Sequence, residues 1–153
     1  MGVLEQIRPA DCARTGGTGR CHAARPDRYR IDVFDPALLH YLRACFAAAR
    51  HEELRVIYCD ASRHYLFDET RSIGASDRLV ARMRPLFERA LAIGAGGLLL
   101  AHNHPSGNCH PSATDIRSTR MLRDIGAALE IEVIDHLIFT RSRCLSMASG
   151  GYL

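Results

Sequence analysis

Two imidazoles, a hydroxyl and a carboxylate lie along residues 102–115 at a spacing that could hold a divalent metal. His102 and His104 end the apolar run Leu98-Leu99-Leu100-Ala101, and Ser112 and Asp115 follow within eleven residues of His104. In an extended backbone, positions i and i+2 share a side, so both imidazoles can face one point. Pro105 and Gly107 shape a loop that can curl back and bring Asp115 to the same point. Two imidazoles, one carboxylate and an open fourth position make a catalytic zinc arrangement. The open position takes a water whose pKa the metal lowers to about 7. Ser112 and Asp115 have a second reading, because S-x-x-D at a helix start is also a capping pattern.

These residues need a rigid frame, and the flanking sequence predicts one. The segment "LLLAH" is continuously apolar and reads as a strand central to a sheet. Pro111-Ser112 opens a helix with Ile116, Met121, Leu122 and Ile125 on its apolar side. Upstream, "RYRIDVF" reads as a short strand, and Asp35-Pro36 opens a helix over "PALLHYLRACFAAAR". "ELRVIYCD" and "YLFDETRSI" form a strand-turn-strand hairpin. Asp77 then caps a helix to about Ile93, within which Pro85 is expected to kink or divide the pattern. The strand "EIEVIDHLIFT", the turn "RSRC" and a last strand at "LSM" complete the chain. The order predicts an α/β protein, a mixed β-sheet flanked by helices on both faces. Residues 1–27, rich in Gly, Ala and Arg, read as an irregular N-terminal segment, and residues 28–153 as the folded domain.

Composition narrows the classes. A chain of 153 residues is of one-domain size, with an ordinary 47% hydrophobic content. No run reaches the roughly 18 apolar residues of a membrane span, and the N-terminus lacks a signal-peptide pattern, so a cytoplasmic protein is expected. The six cysteines are scattered without a C-x-x-C pair, as reduced thiols would be. A net charge of +3 is too mild to argue for nucleic acid by itself. All basic residues are arginine, so no side-chain amine of this chain can carry an isopeptide-linked modifier.

The stretch "AHNHPSGNCHPSATD" resembles the JAMM motif, H-x-H-x7-S-x2-D, of the JAB/MPN metallopeptidase superfamily. More narrowly, the chain is similar to the RadC-type JAB domain, from about Glu52 through "RVIYCD", "LLLAHNHPSG", "PSATDI" and "EVIDHLIF". The resemblance implies a cytidine-deaminase-like mixed sheet over residues 28–153. It implies Zn2+ held by His102, His104 and Asp115, with Ser112 donating to the substrate oxyanion. It also implies a glutamate just ahead of the first strand as general base. Aligning "RVIYCD" selects Glu52, with Glu53 on the opposite strand face and Glu69 in reserve. The function so implied is cleavage of a peptide or isopeptide bond by metal-activated water. The partner would be a protein or peptide, including a ubiquitin-like conjugate, and homodimerisation is left open.

Competing readings are weaker. An HNH nuclease spreads its three motif letters over tens of residues, so the contiguous letters here are coincidental. A zinc nucleobase deaminase needs H-x-E and P-C-x-x-C, and neither string occurs. A non-catalytic, DNA-repair-associated or scaffold role is the alternative, with Arg117, Arg120 and Arg123 on the helix beside the site. Nucleic acid is the less expected partner, since such a row is commonly a solvated helix face. Cys109 is placed to coordinate or block the metal, His110 is expected to face solvent, and Asp135-His136 reads as a buried pair supporting the sheet.

Overall fold

The computed structural model describes residues 29–72 and 79–153. The expected irregular segment 1–27 and the Asp77 cap lie outside the described residues. The elements are α1 (Pro36–Phe46), β1 (Glu53–Cys59), β2 (Tyr65–Ser72), α2 (Leu79–Ile93), β3 (Gly97–Asn103), α3 (Ala113–Ala128), β4 (Glu132–Phe139) and β5 (Cys144–Ser146). They build one five-stranded mixed sheet in the order β2-β1-β3-β4-β5. The strand that carries His102 and leads directly into His104 is thus its central member, and all seven of its residues are buried.

Pairing follows from the connections. β1 and β2 are an antiparallel hairpin, and β1 also pairs antiparallel with β3. Its turn is fixed by Asp60, whose Oδ1 accepts from the backbone N–H groups of Ser62 and His64. β3 and β4 run parallel, which requires a crossover, and α3 supplies it. Gly126, near the end of α3, lies so close to the following turn that a Cβ there would stand 2.4 Å from the carbonyl oxygen of Ile131.

Helices cover both faces, as the element order predicts. On one face Met83, Leu86, Phe87 and Ala90 of α2, with Leu122 of α3, pack on Val56, Tyr58, Leu98, Leu100 and Val133. On the other, Leu38, Tyr41, Leu42 and Phe46 of α1 pack on Ile57, Cys59, Leu99, Ala101, Leu137 and Phe139. The 3–4 residue spacing of the α1 set is the helical period seen in its sequence. Under α1 lies a buried ion pair, Arg55 with Asp68, whose remaining hydrogen-bonding capacity is taken by Tyr41, Tyr65 and Thr70.

Two local expectations are corrected and a third is narrowed. "RYRIDVF" makes only an isolated bridge, Arg30 with His64, because the tight turn Asp32–Asp35 leaves no extended run to pair. α1 ends at Phe46 rather than Arg50, with the N–H of Ala47 bonding to the Ala44 carbonyl in a tighter terminal turn. Pro85 lies inside α2 without dividing it. The packing of Met83, Leu86, Phe87 and Ala90 against the sheet offsets the missing backbone donor.

Candidate metal centre

β3 delivers His102 and His104 to the edge of the α2/α3 face, where both side chains are buried. Gly107, at φ +85°, allows the loop to reverse after Pro105. Ser112 then caps α3 and Asp115 occupies its third position. As a result Nε2 of His102 lies 3.7 Å from Asp115 Oδ1, and Nε2 of His104 lies 3.6 Å from Oδ2. The two Nε2 atoms are 2.7 Å apart. Among the described residues, these three side chains are the one group of potential metal donors whose atoms all lie within 4.8 Å of one another.

The donor set suits a divalent cation. His104 Nδ1 stands 2.7 Å from the carbonyl oxygen of Asn108. A carbonyl only accepts, so that nitrogen carries the proton, and a neutral ring then leaves a lone pair on Nε2. Two ring nitrogens at 2.7 Å cannot both present lone pairs without a proton or cation beside them. Tetrahedral zinc with bonds of about 2.0–2.1 Å sets donors about 3.3–3.4 Å apart. The imidazole–carboxylate separations lie near that value, and the rings need open by only about 0.6 Å to meet it.

Electrostatics favour the ligating protonation states. Burial, only partly opposed by Asp115, lowers His102 from 6.5 to about 4 and so keeps it neutral. Asp115 is held below the usual carboxylate range: burial works against its charge, but two hydrogen bonds from Ser112 and the nearby imidazoles outweigh it. Those bonds form a full capping box. Ser112 donates from Oγ (2.6 Å) and from its backbone N–H (2.8 Å) to Asp115 Oδ2, and Asp115 returns its N–H to Ser112 Oγ. The capping reading of S-x-x-D is thus borne out, and the cap orients the carboxylate that lies nearest the two imidazoles.

Glu52 lies exposed, one residue ahead of β1 and outside the donor group. Leu54 pairs with His102 in the antiparallel ladder. Alternation then puts Glu52 on the side of Leu54 and His102, and Glu53 on the side of Arg55. The register is tied by Asn103, whose Oδ1 accepts from the Glu53 N–H at 2.8 Å and whose Nδ2 donates to the His51 carbonyl at 2.9 Å. The middle letter of His-Asn-His thus points away from the two histidines and clamps the segment holding Glu52. Glu69 is engaged elsewhere, with Tyr58 and Arg71. Cys109 is half-buried and outside the donor group, and His110 is exposed.

One residue of this site was missed by sequence reasoning. Asp135 does support the sheet, accepting from Ser146 and Ala148. His136, however, turns to the opposite face and places Nε2 2.7 Å from Nδ1 of His102. The signal was the parallel register, which pairs His136 with Leu100, two residues before His102 and on its face.

A family model of RadC-like JAB domains matches residues 35–152. The chain belongs to the RadC-like JAB domain family. It is 37% identical over 128 residues to a UPF0758 protein of Burkholderia ambifaria, covering 82% of this chain and 49% of the relative. It is 38% identical over 117 residues to a UPF0758 protein of Ruegeria pomeroyi, covering 76% of this chain and 52% of the relative. The RadC-like chain thus spans about half the length of the curated relatives it matches. Among its described residues, no helix is long and apolar enough to cross a membrane.

Proposed function

We propose that this RadC-like JAB domain is a metal-dependent hydrolase of JAMM type, acting on a peptide or isopeptide bond. The observation that carries this reading is the convergence of His102, His104 and Asp115 within 4.8 Å. His102, His104 and Asp115 would hold the ion, with zinc favoured by two imidazoles and a carboxylate. When bound, such an ion supplies Lewis acidity that brings a water near pKa 7 and polarises a carbonyl.

The chain's own residues divide the remaining work. Glu52 takes a proton from the attacking water as oxygen adds to the carbonyl carbon, and returns it to the leaving nitrogen as the C–N bond breaks. The β1–β3 register, which by alternation puts Glu52 on the same side as Leu54 and His102, and the Asn103 hold on the flanking His51 and Glu53 backbone support this role. The Ser112 hydroxyl, which here donates to Asp115, turns to the substrate oxyanion once the charge on Asp115 is neutralised. A contact of this kind contributes on the order of 3 kcal/mol.

The test is chelator-sensitive cleavage. A proteome-derived peptide library and ubiquitin-like conjugates are incubated with metal-loaded protein and read by mass spectrometry. The reading expects cleavage that EDTA abolishes and that Glu52→Gln removes without loss of metal. Cleavage by neither preparation would leave the non-catalytic, DNA-associated or scaffold role as the better account.

A further inference from the structure

Three hydrogen bonds link the two ends of the metal centre through the interior. Thr119, fully buried on α3, places its hydroxyl 2.7 Å from the carbonyl oxygen of Asp115, one turn back. The same oxygen lies 2.7 Å from Nδ1 of His136 on β4, and His136 Nε2 lies 2.7 Å from Nδ1 of His102 on β3. A hydroxyl has one proton and a carbonyl can only accept. The Met147 sulfur, 3.9 Å from the hydroxyl, is the more distant and weaker acceptor, so Thr119 spends its proton on Asp115 and meets His136 as an acceptor. His136 must then carry its proton on Nδ1, which leaves Nε2 a lone pair. That lone pair accepts from His102 only if His102 carries its own proton on Nδ1. The outcome at the end of the chain is a free lone pair on His102 Nε2, the atom turned towards His104 and Asp115.

From this geometry we infer that Thr119 and His136 are positioning residues that fix the tautomer and ring orientation of His102. The inference rests on the metal-centre reading above and adds to it two residues outside the ligand set. Residues that hold the second nitrogen of a metal-bound histidine typically alter affinity by 10–100-fold when removed. Here the bond does more than orient one ring. It ties the helix carrying Asp115 to the strand carrying His102 through a third element, so the two ligands are set by one chain of contacts.

The experiment compares His136→Leu, His136→Gln, Thr119→Val and Thr119→Ser with the wild type. Zinc affinity is read by chelator competition, tautomers by long-range 15N–1H spectra, and folding by circular dichroism and melting temperature. His136→Leu is expected to weaken zinc binding 10–100-fold while remaining folded. His136→Gln, which sets an amide near the Nε2 position and can accept from His102, is expected to recover most of that loss. Thr119→Val should give a smaller loss that Thr119→Ser reverses. In wild-type protein, His136 is expected to carry its proton on Nδ1 with and without zinc.

A folded His136→Leu variant with wild-type zinc affinity would overturn the inference. So would equal losses in the Leu and Gln variants, or a proton found on His136 Nε2, which would mean the chain runs in the reverse sense. Failure of the underlying reading looks different. Wild-type protein would then take up no zinc, while the His136 tautomer, read in metal-free protein, would still report on the Thr119 contact.

Discussion

Replacing Asn103 with alanine tests whether the residue between the two histidines serves the metal or the segment beside it. Its carboxamide is buried and makes two hydrogen bonds, one from the Glu53 N–H at 2.8 Å and one to the His51 carbonyl at 2.9 Å. Neither bond reaches His102, His104 or Asp115. A net contribution of about 1 kcal/mol for each puts the cost of Asn103→Ala at about 2 kcal/mol. For a domain of this size that corresponds to a fall in melting temperature of roughly 8 °C. Asn103→Asp should be no better, since it keeps the acceptor for Glu53 but sets a second acceptor against the His51 carbonyl. Urea unfolding measures the stability, amide hydrogen exchange the release of the Glu53 N–H, and chelator competition the metal site. The expected pattern is lost stability, faster exchange at Glu53 and zinc affinity within about twofold of wild type, because no ligand is touched. A variant of wild-type stability that loses zinc binding would refute the reasoning and make Asn103 part of the metal site.

Three further outcomes follow from the same contacts. Burial holds His102 near pKa 4 and His136 near 3, against 6.5 for an exposed imidazole. As pH falls below about 6.5 the unfolded chain binds protons that the folded chain refuses. The stability of chelated protein is therefore full above that pH and falls progressively as the pH drops below it. Asp115, also held low, pushes the same way at still lower pH, and a flat melting profile from pH 7 to 4.5 would contradict the burial argument. Ser112→Ala removes the helix cap and a hydrogen bond to the carboxylate; a loss of about 1 kcal/mol in unfolding free energy is expected, with the Asp115 carboxyl titrating higher by NMR. Gly126→Ala must displace the Ile131 carbonyl, 2.4 Å from the added carbon, and a cost of about 1–3 kcal/mol should appear in thermal unfolding, since overpacking rather than helix propensity dominates.

What could be read from the sequence tracks how local the determining physics is. The central strand was legible because an unbroken apolar run can only be buried on both faces, and β3 is so buried along its whole length. The N-terminus of α3 was legible because Ser112 and Asp115 satisfy each other over three residues. The misread strand at Tyr29–Val33 had the right alternation, but pairing is a tertiary event, and the Asp32 turn competes for the same residues. Pro85 does not divide α2, because the packing that holds the helix to the sheet is tertiary and has no local signature. His136 was missed for a related reason. Its role depends on parallel register across a helical crossover, which places residues 34 apart within 2.7 Å and leaves no trace in local spacing. The Asn103 clamp is similar, since it acts across the antiparallel β1–β3 ladder.

The most direct test of the central claim is metal content. Purified wild-type protein and a His102→Ala, His104→Ala double variant are passed over a desalting column after exposure to zinc and analysed by elemental mass spectrometry. Close to one zinc per wild-type chain is expected, and none in the folded variant. Equal metal in the two preparations, whether near zero or near one, would contradict that claim.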